Sequence, residues 1–245
     1  MASMLLGIGL HIKKLSSKVW IFSIIAVLSA AVFLTYSRSA YLAFAGGVFI
    51  ISLLKARKIL LITIILFLMG IAASPRAQER VGELAQSIVS LTGSSVDTPD
   101  PTAKLRLQSW QQTWSLIEKR PLLGCVYNNL SIVNHQEGFT KNDGTHSASS
   151  SDSSLLTIAA TTGIFGFIPF ILIYGFTLTS SFHIWRNTKT TLLHRGYALG
   201  IFGGMFALLV HSVFVNSLLF APILLFFWIA LALLQDLPTN KTPLS

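Results

Sequence analysis

The sequence predicts an all-α protein, a polytopic bundle of about six transmembrane helices with one large, partly helical external loop. Three observations support this fold class. Of the 245 residues, 52% are hydrophobic and 11% are charged, which is too apolar for a soluble domain. The apolar residues come in long blocks rather than in alternating or amphipathic stripes. A single polar stretch, residues 74–153, separates two such blocks and holds eight of the nine acidic residues.

The apolar blocks divide into six predicted spans. Several are shorter than the roughly 20 residues that a bilayer core requires, so we expect their helices to extend into flanking polar residues. The opening residues 1–12 are apolar but too few to cross, so they form either an interfacial segment or the end of a truncated helix. The predicted spans are residues 19–35, 39–54, 59–73, 154–182, 196–215 and 218–234.

Three blocks follow from these spans. Residues 1–73 form an N-terminal transmembrane block, residues 74–153 form the external loop, and residues 154–245 form a second transmembrane block with a short tail.

The net charge of +9 indicates membrane topology rather than a nucleic-acid partner, because the loop itself is nearly neutral. With the basic clusters placed in the cytoplasm, the positive-inside rule puts both termini inside and the loop outside. Ten of the 18 basic residues lie in three short clusters and the tail: Lys13, Lys14, Lys18; Lys55, Arg57, Lys58; Arg186, Lys189, Arg195; and Lys241.

The loop contains one clear helix candidate, residues 104–119, which Pro121 ends. Its apolar positions fall on one face at helical spacing. Such a face with two tryptophans suits the membrane–water boundary, and it equally suits packing on a small core of the loop itself. The residues of this face are Leu107, Trp110, Trp114 and Ile117.

Three cations are candidates for binding an anion on the external side. Arg38 lies in a short external turn, where it either extends to lipid headgroups or holds a phosphate with its rigid guanidinium fork. Lys104 and Arg106 lie at the start of the loop helix, where the helix dipole does not stabilise a cation. Arg106 in particular is therefore a candidate for binding a ligand.

Four further polar residues are candidates near the ends of the later spans. His146 is a candidate general base, since an imidazole titrates near working pH, although a loop histidine is usually solvated. Asp152 or Ser153 is expected to cap the helix of the fourth span. His211 and Asn216 lie near the external end of the fifth span, where they form interhelical hydrogen bonds or bind substrate.

The sequence lacks the patterns of several cofactor sites. There is no glycine-rich phosphate loop, no Asp-x-Asp pair and no metal-ligand spacing of His or Cys, so we expect neither a metal nor another cofactor. The single cysteine, Cys125, excludes an internal disulfide. The pair Gly163-x-x-Gly166 predicts close packing or a kink.

The order of several short motifs resembles a known family. Over about residues 19–235 the chain is similar to the O-antigen ligase and O-antigen polymerase family of bacterial inner-membrane glycosyltransferases. The motifs are Tyr36-Ser-Arg-Ser-Ala-Tyr-Leu at a span junction, Arg106…Trp110…Pro121-Leu-Leu-Gly124 in the loop, Ser153-Ser-Leu-Leu-Thr-Ile-Ala-Ala-Thr-Thr-Gly-Ile-Phe-Gly166, and His211…Asn216…Pro222.

This resemblance implies transfer of a glycan from a polyprenyl-diphosphate carrier to an acceptor hydroxyl at the outer face of the inner membrane. Arg38 and Arg106 match the family's external arginines and would hold the diphosphate. The family's histidine base lies eleven residues before the first glycine of Gly-x-x-Gly, and Asp152 occupies that position here. His146 lies six residues upstream, so either Asp152 is the base, or His146 folds back into the site, or the activity is lost or changed. Of these alternatives we favour Asp152 and His146 acting together.

Two alternatives remain open from the sequence. The chain has fewer spans than the family's usual number, so a missing N-terminal half or a partner subunit is expected, and an inactive membrane fragment is one reading. A polytopic transporter is the other reading, although a transporter should carry polar groups at the middle of the membrane.

Overall fold

The computed structural model describes residues 1–55, 101–127, 129–139 and 151–235, with ten separate helical positions between 61 and 82. Every regular element within these described ranges is helical, which confirms the all-α fold. The helices are α1 (Ala2–Gly9), α2 (Leu15–Leu34), α3 (Arg38–Lys55), α4 (Pro101–Lys119), α5 (Leu130–Gln136), α6 (Ser154–Arg186), α7 (Leu192–Phe214) and α8 (Ala221–Gln235).

Four of these helices, α2, α3, α6 and α7, are long and apolar enough to cross a membrane. The fifth apolar helix, α8, has 15 residues and is shorter than a usual span. These five helices match five of the six predicted spans, and the four long ones extend into flanking polar residues as expected. The predicted span 59–73 lies largely outside the described residues.

The chain folds as two compact units. The first unit contains Met1–Val81, Gly175–His211 and Leu224–Ser245, and the second contains Gly82–Tyr174 and Ser212–Ile223. The second unit therefore includes most of the predicted external loop, the first part of α6 and the turn that follows α7.

In the first unit, α1 packs on a glycine face of α7. Gly196, Gly200 and Gly204 repeat every four residues, and this spacing lets two helix backbones approach closely. A Cβ on Gly7 or on Gly200 would clash with the backbone of the opposite helix. The opening residues, expected as an interfacial segment or a helix stump, thus form a packed helix. The core beside this contact contains Leu6, Val48, Ile51 and Leu199.

The second unit has its own apolar core, formed by Leu116, Cys125, Leu130, Val133 and Ala160. The buried side of α4 carries Leu116 and Thr113, whereas Leu107 and Trp114 are exposed. The predicted apolar face is therefore divided: Ile117 packs against this core, as one of the two alternatives expects, whereas Leu107 and Trp114 do not. Burial of Thr113 is cheap because its hydroxyl donates to the Ser109 carbonyl at 2.7 Å within the same helix.

Helix α6 is interrupted at Gly163, whose φ of 61° and ψ of −167° are not helical. The interruption leaves backbone groups without helical partners, and residues 121–125 supply those partners. Ile164 N–H donates to Pro121 O at 2.8 Å, and Phe165 N–H donates to Leu122 O at 3.4 Å. In return, Cys125 N–H donates to Ala160 O at 2.8 Å. We call this set of hydrogen bonds the backbone lock.

The backbone lock requires glycine at two positions. Gly163 has a conformation that is essentially limited to glycine, and a Cβ there would clash with the Leu122 carbonyl. Gly124 has a φ of 67°, and a Cβ there would lie 2.5 Å from Ala160 O. The kink or close packing expected from Gly163-x-x-Gly166 is confirmed as a break in the helix.

The glycine face of α7 generates the first prediction. Gly200→Ala should destabilise the protein by about 1–3 kcal/mol, because the new methyl group overlaps the backbone of α1. Gly175→Ala is the matched control, since a Cβ at Gly175 has no atom within 4 Å. Thermal unfolding in detergent micelles measures both variants. Equal midpoints for the two would contradict the close contact.

The backbone lock generates the second prediction. Gly163→Ala should lower the free energy of unfolding by more than Gly138→Ala does. Gly138 also has a positive φ, of 72°, but has open space around it. The control therefore carries only the conformational strain, about 1–2 kcal/mol, and the lock variant adds a steric clash. Urea unfolding followed by tryptophan fluorescence compares them, and an equal loss in both variants would count against the lock.

Candidate functional site

The start of α6 is tied to α4. Asp152 N–H donates to the Ser109 hydroxyl oxygen at 3.4 Å. Ser153 caps the helix, because its Oγ accepts from Leu156 N–H at 3.5 Å. The expectation of a cap at Asp152 or Ser153 is therefore confirmed at Ser153, and the Asp152 carboxylate is left for another role.

The same start of α6 is also tied to the turn that follows α7. Ser153 Oγ donates to Ser212 O at 3.3 Å, and Ser154 Oγ donates to Val215 O at 3.0 Å. Leu218 N–H in turn donates to Ser154 Oγ at 3.1 Å. Because these serines are buried, the hydrogen bonds fix three segments of the second unit against one another.

Four buried polar atoms on these three segments have no hydrogen-bond partner within the described part of the chain. They are Arg106 Nε, Trp110 Nε1, Ser151 Oγ and Asn216 Oδ1. An unpaired buried polar group costs about 1–3 kcal/mol, so folded proteins seldom retain several of them in one region without a use. A group of this kind is typical of a site that receives a polar ligand.

The contacts between the segments bring these residues to one region. Arg106 lies one helical turn before Ser109 and Trp110, on the same side of α4. The Trp110 ring packs against Phe214, with ring centroids 6.3 Å apart, and Asn216 follows two residues later. We call Arg106, Trp110, Ser151, Asp152 and Asn216 the polar site.

An open apolar groove of about 460 Å³ adjoins the polar site. Trp110 is shared by both, and Leu107, Trp114 and Leu156 contribute to the groove. The indole N–H of Trp114 donates to Glu118 Oε1 at 2.8 Å, so this exposed ring has its polar atom satisfied. Leu107, Trp110 and Trp114 of the predicted face thus line an open surface beside the site.

The structure brings together three of the seven predicted site residues, namely Arg106, Asp152 and Asn216. Arg38 begins α3 in the first unit, directly after a turn in which Tyr36 has a φ of 50°. His211 lies in the last turn of α7, also in the first unit. Lys104 belongs to α4, but its side chain lies outside the described part, as does the whole of His146.

Trp110 and Ser151 were missed as polar-site residues. The pattern of apolar positions treats Trp110 as a hydrophobic residue and hides its N–H group, and Ser151 lies in a serine run that resembles a linker. The position of Trp110 one turn after Arg106 is a sequence signal that links the two.

Two further groups in the second unit, the Lys119 ammonium and the Cys125 thiol, have structural roles. Lys119 forms an ion pair with Glu137 and lies 5.8 Å from the centroid of the Phe139 ring. Burial raises the pKa of the Cys125 thiol, and the nearby Arg120 only partly opposes that effect. The thiol therefore stays protonated and contributes to packing rather than to nucleophilic chemistry.

Together these features define a membrane protein with spanning helices and a polar site formed by a long loop and the ends of two helices. The chain belongs to the O-antigen ligase family, whose model matches residues 23–171, more than half of the sequence. This range includes Arg38, Arg106, Asp152 and both sides of the backbone lock, and it confirms the resemblance found in the motifs. No curated protein matches the chain. Membership implies a membrane glycosyltransferase activity of ligase or polymerase type.

Proposed function

We propose that this protein transfers a glycan from a polyprenyl-diphosphate carrier to an acceptor hydroxyl at the outer face of the bacterial inner membrane. The observation that carries the proposal is the polar site, where three buried donors and one buried acceptor lack partners among the described residues and lie beside a carboxylate. In this proposal both termini are cytoplasmic, the loop is external, and a further N-terminal half or a partner subunit completes the carrier groove.

The donors suit a diphosphate leaving group. During transfer the bond between the sugar's anomeric carbon and the diphosphate oxygen breaks, and negative charge develops on that oxygen. The guanidinium of Arg106 offers Nε–H, Trp110 offers an indole N–H and Ser151 offers a hydroxyl. Donors that are already in place stabilise such charge without reorganisation, and this effect is usually the largest single contribution to catalysis.

Asp152 is placed to be the general base. As the new bond forms between the anomeric carbon and the acceptor oxygen, the acceptor's proton must move to a base. The backbone of Asp152 is held by Ser109, and its carboxylate is not used as the helix cap. In the proposal His146 assists Asp152, and Asn216 accepts a hydrogen bond from a sugar hydroxyl through its Oδ1.

The other predicted residues complete the substrate contacts in this proposal. Arg38 supplies a second guanidinium for the diphosphate, as its place in the family motif implies. Lys104 adds positive charge at the start of α4, and His211 contacts the substrate near the end of α7. No metal ion or other cofactor takes part in the proposed reaction.

Two variants should distinguish carrier binding from glycan transfer. Arg106→Ala should weaken binding of undecaprenyl diphosphate and lower transfer by about 10²–10³-fold, because it removes a donor to the developing charge. Asp152→Asn should keep binding and lower transfer by about 10²–10⁴-fold, because it removes the base. Thermal shift of the purified full chain with undecaprenyl diphosphate measures binding. Transfer is measured by immunoblots of acceptor-linked glycan. The host strain lacks its own copy of the gene and expresses each variant.

Arg186→Ala is the charge-matched control for these measurements. Arg186 is exposed and ends α6, the helix that begins beside Asp152, so its loss should change neither the thermal shift nor the glycan level. Membrane levels of each variant are compared on the same blots. Undiminished transfer by both site variants at normal membrane levels would reject the assignment.

A further inference from the structure

Helix α6 is longer than a membrane span. Its 33 residues would extend about 50 Å, whereas the hydrocarbon core of a bilayer is about 30 Å thick. The part after the break, residues 164–186, would extend about 34 Å and is enough to cross. The part before it, residues 154–162, would extend about 14 Å. The break at Gly163 therefore divides α6 into a part long enough to span the membrane and a nine-residue part that precedes it.

The composition of α6 changes at the same point. Residues 154–162 include Ser154, Thr157, Thr161 and Thr162, while residues 164–176 are almost entirely apolar. The three buried polar side chains in the first part bond within the second unit: Ser154 to the turn after α7, Thr157 to Ser151, and Thr161 to the helix itself. A helix whose first part is tied by polar contacts and whose second part is apolar fits a boundary at the break.

An exposed apolar surface continues from the spanning part of α6 onto the loop. Phe165 is 66% exposed and Ile164 is 47% exposed, and Ile168 and Leu172 continue this surface along the helix. Through the backbone lock, Leu122 and Leu123 lie beside Ile164 and Phe165, and these leucines are 58% and 73% exposed. The lipid-facing surface of a spanning helix is expected to be apolar. An apolar surface that continues from such a helix onto a loop is therefore expected to face lipid as well.

We propose that residues 121–124 are a membrane anchor, in which Leu122 and Leu123 insert into the lipid of the leaflet that faces the loop. Irregular backbone is normally excluded from lipid because its polar groups are unsatisfied. Here part of the backbone is satisfied: Pro121 has no N–H, the carbonyls of Pro121 and Leu122 accept hydrogen bonds from α6, and Gly124 N–H donates to Arg120 O at 3.1 Å. The leucine side chains take no part in those bonds, so they are available to the bilayer.

Spin labels on the full chain in liposomes of phosphatidylethanolamine and phosphatidylglycerol test this anchor. A nitroxide is attached at Leu123→Cys, and separately at Leu122→Cys, in a Cys125→Ala background that removes the one native thiol. The matched control is Gln111→Cys, an exposed position on α4. Labels at 122 and 123 should be several-fold more accessible to oxygen than to a water-soluble nickel chelate, and the label at 111 should show the reverse.

Two results would overturn the anchor. The first is a nickel accessibility at positions 122 and 123 that equals the value at position 111, since both leucines would then face water. The second is strong spin–spin broadening at 122 and 123 that disappears on dilution with unlabelled protein. That result would assign the leucines to contact with a second copy of the chain.

Discussion

The backbone lock is the constraint on which the second unit depends. At the break in α6, two N–H groups and one carbonyl need partners outside the helix, because water is scarce there. Ile164, Phe165 and Ala160 find those partners in residues 121–125, some forty positions away in sequence. Because α4 ends at Lys119, directly before these residues, the lock also fixes the end of α4 against α6. The second tie, from Ser109 to Asp152, fixes α4 nearer its start.

At the start of α6, the hydroxyl groups of serines fix the helix by hydrogen bonds, as main-chain groups do at its break. Ser153 and Ser154 bond to the turn after α7, and they are short enough to be buried with all of their hydrogen bonds made. The hydrogen bonds at these two places on α6 hold the segments that carry the polar site against one another. Collapse of the polar site would let the buried donors of Arg106 and Trp110 pair with neighbouring groups, whereas a rigid frame keeps them available to a ligand.

The sequence predicts the helices well and the lock poorly, for one physical reason. Burial in lipid demands long apolar runs, so the bounds of α2, α3 and α6 follow from composition within a few residues. The lock is made by main-chain groups, which every residue carries, and only Gly124 and Gly163 leave a trace in the sequence. The sequence also fails to predict the buried face of α4, for a related reason. Thr113 is buried because its hydroxyl is satisfied inside the helix, while apolar periodicity selects the exposed Trp114. Arg106 stands out because the helix dipole does not stabilise a cation at a helix start, and Asn216 stands out because an amide near a span end is costly. Both enter the predicted site for these reasons.

A substrate linked to a lipid carrier requires the catalytic groups to lie at a defined height relative to the membrane. The two proposals together meet this requirement. A prenyl chain cannot rise from the bilayer without exposing methylene groups to water, at about 0.8 kcal/mol for each. The diphosphate therefore stays in the headgroup layer, and the proposed transferase must hold its catalytic groups at the level of that layer. With Leu122 and Leu123 anchored in lipid, residues 154–162 would carry the start of α6 no more than about 14 Å beyond the break, so that Ser151 and Asp152 would reach the diphosphate and its first sugar. The broken helix thus sets the height of the proposed site, and the serine contacts at its start set the orientation.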